Sequence, residues 1–296
     1  MKLENVGTFV AIADAGSLSA AARAANLSKS VVSERLAELE RSLGAQLVQR
    51  TSRKLSLTGD GMAFLARARR ILAEADAARA ELSERRGELA GPLRISAPVS
   101  FGTLHLGRAL FPFLRAHPRI ELTLELDDQR VDVLGQGYDA VIRHSRIADA
   151  RVIAKRIASS ERYFVASPEY LRRHGLPRSP TELASHTGIL YTLRDPDWRL
   201  RVGHKHVVVR PERCLRLNNG MMMRDAAVAG LGIALVGSFL VQQELSKRLL
   251  TRIDVGGTPE SAEVFVAYAS SRAASAKIRA LVECLRGAFG DPPATK

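Results

Sequence analysis

Cysteine is nearly missing from the chain: its 296 residues hold two, Cys214 and Cys284. They lie far apart and outside any C-x-x-C spacing, which excludes a disulfide framework and a cysteine-built zinc site. Long apolar runs are missing as well. No stretch approaches the ~20 residues that a membrane-crossing helix needs. Glu4 and Asp14 sit where a secretory leader would need an apolar centre, so the expected location is the cytoplasm, with no membrane partner. The common catalytic signatures do not occur: there is no G-x-S-x-G, no phosphate-loop lysine and no H-E-x-x-H. No nucleophile, base and orienting group assemble, so neither enzymatic activity nor a cofactor is expected.

Some stretches imitate chemistry. GQGYDA at 135–140 fits the dinucleotide fingerprint in letters only. The fingerprint must turn a strand into a helix, whereas these glycines precede the apolar strand DAVIRHS. GLGIAL at 230–235 likewise leads into a strand. His204 and His206 are expected on one face of a strand, without a third ligand in register, so no metal is expected. Met221, Met222 and Met223 read as adaptable packing beside a cleft.

What is present is a soluble globular composition, 46% hydrophobic and 25% charged, over a length that favours two or more domains. The formal net charge is +13. Its distribution is uneven: residues 1–60 carry +2, residues 61–90 carry +1 and residues 91–296 carry +10. The basic excess therefore lies mostly outside the stretch described next, and bulk charge is no warrant for DNA binding.

Residues 17–36, SLSAAARAANLSKSVVSERL, organise the chain. Ala21 and Ala22 permit two helices to cross closely, and Leu27 fills the corner between them. This is the helix-turn-helix arrangement, whose second helix enters the major groove of DNA. Leu3, Val6, Val10 and Ala13, widened by Phe9, predict a preceding helix ended by Gly16, with Ser17 or Ser19 capping the next. In the second helix of the motif, Val32, Leu36, Leu39 and Leu43 commit one face to a core. The other presents Ser30, Val31 and Glu34, flanked by Ser33 and Arg35. Val31 suits a thymine methyl, Arg35 a guanine edge or a phosphate, and Glu34 a cytosine amino group unless it merely holds Arg35. Lys29 and Ser30 suit phosphates at the helix start, and Ser17, besides capping, is counted among the DNA-binding residues. Leu55 and Leu57 predict a short strand, and the basic turn carrying Arg50, Arg53 and Lys54 makes a wing for phosphates or the minor groove.

The stretches FVAIADAGSLSAAA, LSKSVVSERLAELERSLGAQLVQR and LTGDG resemble the N-terminal domain of LysR-type transcriptional regulators over about the first 60 residues. The family usually has Phe where this chain has Val48. The resemblance implies that Lys29, Ser30, Val31, Ser33, Glu34, Arg35 and Arg53 occupy DNA-contacting positions.

After Thr58, a good N-cap, Phe64, Ala68, Ile71, Ala75, Ala78 and Leu82 recur in steps of four and three, the period of a coiled-coil seam. The alternative is a helix packed on its own domain. A dimer would place two reading heads about one helical turn of DNA apart. The resemblance agrees, since the family dimerises through a linker helix and commonly forms tetramers. Arg85, Arg86, Gly87, Gly91 and Pro92 mark a hinge.

Beyond it, LRISAP, IELTLEL, DAVIRHS, GIALVG and EVFVAYAS predict strands. FGTLHLGRALFPFLRAHP, VDVLGQG, NNGMMMRDAAVAG and SRAASAKIRALVECLRGAF predict helices. The alternation indicates mostly parallel α/β layers. The family's sensor resembles a type 2 periplasmic binding protein. The expected fold is thus α+β multidomain: a winged helix-turn-helix (1–58), a linker helix and hinge (59–90) and a two-lobed α/β effector domain (91–296). Lobe I would span 92–161 plus 267–296, and lobe II 162–266. Ligands in such folds sit beyond strand carboxyl ends. That points to Ser100, Phe101 and Thr103, to Arg143 and His144, to Asn218 and Asn219, and to Asp128 and Gln129 from the side. Helix capping is the plain alternative for Ser100 and Asn219.

The expected function is a sequence-specific DNA-binding regulator controlled by an anionic or polar small molecule. Its partners are promoter DNA, the effector, further copies of the chain and RNA polymerase. The rivals are a cytoplasmic small-molecule-binding protein, an enzyme, or a constitutive repressor with a vestigial cleft.

Overall fold

The computed structural model describes residues 1–50, 55–84, 89–129, 133, 135–145, 147–193 and 197–290. Helices α1 (Leu3–Ala15), α2 (Leu18–Ala24) and α3 (Lys29–Leu43) are followed by strands β1 (Val48–Arg50) and β2 (Leu55–Leu57), which pair antiparallel. Phe9, Ile12, Leu36, Leu39 and Leu47 are fully buried and fill one small core among them. Val48 is also buried there.

The buried stripes are rotated or shortened relative to expectation. On α1 the core face is Val6, Phe9 and Ile12, while Leu3 is 36% exposed. The face also takes in Asn5, because α1 packs on more than one helix, and Asn5 is satisfied by donating its Nδ2 to Glu38 Oε2 at 3.0 Å. On α3, Leu43 is 37% exposed. It is the last helical residue before Gly44, which takes the left-handed conformation, and it lies beyond the reach of the core.

Helix α4 (Gly59–Glu84) begins inside this small domain. Thr58 caps it, accepting the Gly61 N–H at 2.9 Å. A side chain at Gly61 would put its Cβ 2.0 Å from the Leu47 carbonyl oxygen, so glycine lets the helix start against the ribbon. The Phe64 ring lies 5.7 Å from that of Phe9, Ala68 is fully buried, and Leu72 packs on the same core. The expected seam is therefore split. Phe64 and Ala68 face α1, Ile71 and Ala75 are half-buried, and Ala78 is exposed. The side chain of Leu82 and the hinge residues Arg85, Arg86 and Gly87 lie outside the described residues. A heptad pattern states that a stripe is covered without stating by what, and here α1 covers its first turns.

The rest of the chain runs β3 (Ala90–Ala97), α5 (Val99–Phe101), a π-helical turn (Gly102–Leu106), α6 (Gly107–Ala116), β4 (Arg119–Leu126), β5 (Ala140–Arg143), β6 (Val152–Ser160), β7 (Arg162–Ala166), α7 (Pro168–His174), α8 (Pro180–Ala184) and β8 (Thr187–Tyr191). Then come β9 (Trp198–Val202), β10 (Lys205–Val209), β11 (Arg213–Leu217), α9 (Gly220–Val228), β12 (Ile233–Gly237), a 3-10 turn (Ser238–Leu240), α10 (Gln242–Ser246), β13 (Thr251–Ile253), β14 (Thr258–Pro259), β15 (Ala262–Ala269), a second 3-10 turn (Ser270–Arg272) and α11 (Ala276–Phe289).

Two five-stranded sheets result, ordered β4-β3-β5-β15-β6 in one lobe and β11-β8-β12-β7-β13 in the other, with a small β10-β9-β14 sheet beside the second. Both large sheets are mixed rather than mostly parallel: β3 runs parallel to β4 and β5, but β15 is antiparallel to β5 and β6. All of β15 belongs to the first sheet, so the chain re-enters lobe I by Ala262 rather than at residue 267. Gly91 and Pro92 are not hinge residues; they pair within β3 against Ile120 and Glu121. Proline is tolerated there because β3 meets β5 only at Ile95 and Ser96. Residues 135–137 form turns where a helix was expected, with Val131, Asp132 and Leu134 outside the described residues. His204 lies in the hairpin turn ahead of β10, so it does not share a strand with His206. Arg143 and Ser100 reach the space between the two large sheets.

Candidate DNA-binding face and effector cleft

The front of α3 is built by two caps and a turn. Ser17 accepts the Ala20 N–H at 3.1 Å and so caps α2, as the sequence predicts. Asn26 takes a positive φ of 52° and the Leu27 N–H reaches back to the Ala22 carbonyl at 2.9 Å, which closes the turn. Ser28, not anticipated, caps α3 through the Val31 N–H at 3.3 Å and shares a hydrogen bond with Ser30 at 2.8 Å. Lys29, Ser30 and Glu34 are exposed on this front, with Val31, Ser33 and Arg35 half-buried beside them. Arg35 is not held by Glu34. Its Nη2 donates to Glu4 Oε2 of α1 at 3.1 Å, because adjacent helical residues point about 100° apart while α1 lies alongside. Lys2 pairs with Glu38 at 2.8 Å on the same flank. Arg53 and Lys54 of the wing, and the side chain of Arg50, lie outside the described residues.

A cavity of about 400 Å³ opens between the two lobes. From lobe I it is lined by Ser100, Asp127, Asp128, Gln129, Arg143 and His144; from the other side come Arg162, Tyr191, Met223 and Phe239. Five of the expected residues thus meet here: Ser100, Asp128, Gln129, Arg143 and His144. Phe101 does not line the cavity; it is buried in the lobe I core with its ring 5.9 Å from that of Phe239. Thr103 is exposed on the π-helical turn. Asn219 is the cap of α9, accepting the Met221 and Met222 N–H groups at 3.0 and 3.1 Å, and Asn218 is exposed outside the lining.

Arg143 is the chemical centre of the cavity. Its Nη1 donates to the Ile142 carbonyl at 2.6 Å and its Nη2 to Ser96 Oγ at 2.9 Å. Its Nε is buried and has no hydrogen-bond partner among the described residues. Burial pulls the guanidinium below its ordinary value, opposed by the charges of Asp127, Tyr138 and Asp128. Asp128 is displaced the other way: burial raises its carboxyl, although the Val99 N–H, at 3.0 Å, and the Tyr191 hydroxyl both bond to it. Tyr191 comes from β8, so that bond crosses the cleft. Phe239 forms a second crossing. Its ring stacks on His144 at 5.4 Å, and His105 Nε2 meets its carbonyl oxygen at 3.1 Å.

A winged helix-turn-helix joined by a long helix to a two-lobed sensor is the build of a ligand-responsive transcription factor. Residues 3–62 match the family described as bacterial regulatory helix-turn-helix protein, lysR family, and residues 86–290 match the LysR substrate binding domain. The chain belongs to the LysR-type transcriptional regulators: it is a DNA-binding regulator whose C-terminal domain places it under effector control. It is 33% identical to the HTH-type transcriptional regulator PtxR of Pseudomonas aeruginosa, over 99% of this chain and 95% of that one. It is similar to the solved structure of CrgA, a LysR-type regulator from Neisseria meningitidis, with a TM-score of 0.59, 28% identity and coverage of 96% and 99%. It is also similar to the full-length structure of the Vibrio cholerae virulence activator AphB, with a TM-score of 0.61, 25% identity and coverage of 97% and 99%. Regulators of this family bind promoter DNA and small-molecule effectors and form oligomers.

Proposed function

We propose that this regulator reads DNA with Lys29, Ser30, Val31, Ser33, Glu34 and Arg35, grips phosphates through Arg50, Arg53 and Lys54, and is switched by a small carboxylate in the inter-lobe cleft. The observation that carries the ligand class is Arg143, a half-buried guanidinium lining the cavity, whose bonds to the Ile142 carbonyl and Ser96 Oγ leave further N–H donors unused among the described residues. Such a group takes a carboxylate oxygen with a charge-assisted bond. Asp127 and Asp128 face the same space, and they call for a donor on the ligand. A carboxylate that also carries a hydroxyl or an amino group satisfies both. Gln129, Ser100 and His144 complete the polar lining.

The role is regulatory rather than catalytic, performed in the cytoplasm as an oligomer that meets RNA polymerase at the promoter. The units are a reading head near residues 1–58, a linker near 59–90 and a sensor beyond. Effector binding shifts the sensor between states that hold the heads differently, which is a coupling between two sites with no chemical step. The test is footprinting of the full-length protein on its own promoter region with a panel of hydroxy and amino carboxylates, repeated with Arg143→Ala. One member should change the protected pattern for the wild type and not for the variant. An unchanged response in the variant removes Arg143 from the site, and a binding curve insensitive to salt removes DNA recognition altogether.

A further inference from the structure

The linker helix carries one side chain that touches all three parts of the molecule. Arg69 of α4 is only 19% exposed, and its Nη2 bonds Asp14 Oδ1 near the end of α1. Its stem lies on the far side against the lobe I loop at Gly137, where a built Cβ would stand 3.2 Å from the Cβ of Arg69. Gly137 has a positive φ of 72°, so both its backbone conformation and the approach of the arginine stem require glycine.

The loop that Arg69 leans on is tied to the sheet by several bonds. Arg94 donates to the Gln136 carbonyl at 2.9 Å and to Glu125 at 2.6 and 2.9 Å, its backbone N–H donates to Asp139 at 2.6 Å, and its guanidinium lies 4.6 Å from the centre of the Tyr138 ring. The Tyr138 hydroxyl donates to Glu125 at 2.5 Å, and Arg272 pairs with Asp139. The loop also leads on to the cleft. It enters β5, which ends at Arg143 with His144 next in the chain, and both line the cleft. Burial raises the Glu125 carboxyl, but its bonds from Tyr138 and Arg94 hold it below its ordinary value, with Arg69 a minor contributor.

We propose that Arg69 is a positioning residue: its bond to Asp14 and its packing on Gly137 fix the angle of the reading head on the sensor, and so the separation at which paired heads meet DNA. Movement of β5 or of the 135–139 loop when the cleft fills is delivered to α1 through this side chain. The inference rests on the DNA-regulator reading above and adds the residue that sets head geometry.

The experiment is a binding selection with the full-length protein. Wild-type protein first enriches genomic fragments. The recovered half-sites are then presented in a library in which the spacer between them varies one base pair at a time. The wild type should favour a narrow range of spacers. Arg69→Ala and Asp14→Asn should enrich the same half-sites over a wider range, with the ratio between best and neighbouring spacers falling roughly two- to thirtyfold. Arg69→Lys should fall between them, and the double variant should be no worse than either single. Gly137→Ala, which disturbs the same contact from the sensor side, should move the preferred spacer. A variant that loses affinity equally at every spacer, or one that keeps the wild-type spacer profile, overturns the proposal. Wild-type protein that enriches no paired half-sites overturns the regulator reading and this inference with it.

Discussion

Phe64→Ala separates two accounts of the linker helix. If Phe64 belongs to the core of the reading head, its loss is a loss of head stability. Truncating a fully buried Phe costs about 3–5 kcal/mol, and a half-buried one with an aromatic neighbour about 2–3 kcal/mol. Phe64 is half-buried and its ring lies 5.7 Å from that of Phe9. A domain of this size holds on the order of 3–10 kcal/mol in total, so the variant spends a large share of it. The folded-to-unfolded ratio of the head should fall on the order of thirtyfold or more. Hydrogen exchange is the assay, because it reads α1 and α3 apart from the sensor. Amides of α1, α3 and the first turns of α4 should exchange faster by that factor at every protein concentration, with sensor amides unchanged. If instead those amides keep their protection and only the concentration at which the oligomer dissociates rises, Phe64 sits on a subunit seam and the packing against Phe9 is wrong.

Other perturbations test other joints. Gly61→Ala should destabilise the head by about 1–3 kcal/mol despite alanine's better helix propensity, since the obstacle is the Leu47 backbone carbonyl; urea unfolding at wild-type stability would contradict it. Ser28→Ala removes the α3 cap and should cost about 1 kcal/mol of head stability and weaken DNA binding, leaving the melting of the sensor alone. Asp128→Asn tests the buried carboxyl through pH. A carboxyl raised above its unfolded value contributes stability that is present below pH 3.8 and is lost as pH rises through the folded value, a loss the asparagine variant does not suffer. The variant should therefore gain on the wild type from acid toward neutral pH, and parallel stability curves would refute the shift.

The reading head was legible because its signals are local. A cap, a turn residue and a 3.6-residue stripe lie within one or two turns of each other, so α2 and α3 could be drawn from 17–43 alone. What could not be drawn was which helix covers which stripe: Leu3 and Leu43 satisfy a period yet face solvent, and Phe64 satisfies a heptad yet serves α1. In the sensor, Arg143 and His144 were findable as polar residues ending an apolar strand. Tyr191 and Phe239 were not, because only the return of the chain from lobe II brings them to Asp128 and His144. The strands β6, β7, β9 and β11 mix charged and apolar residues without clean alternation, and the crossing back at β15 depends on pairing with β6, more than 90 residues earlier.

That the linker helix starts inside the head also limits how such genes can recombine. A hybrid joined at residue 58 would supply its new head with a foreign Phe64, Ala68 and Leu72, and Gly61 would have to meet another protein's Leu47 carbonyl. Productive exchanges of DNA specificity between relatives should therefore have breakpoints beyond Leu72, carrying Arg69 along with the head and leaving Gly137 behind. In that arrangement the part that chooses the operator and the part that aims it are inherited together, and only the contact with the sensor is renegotiated.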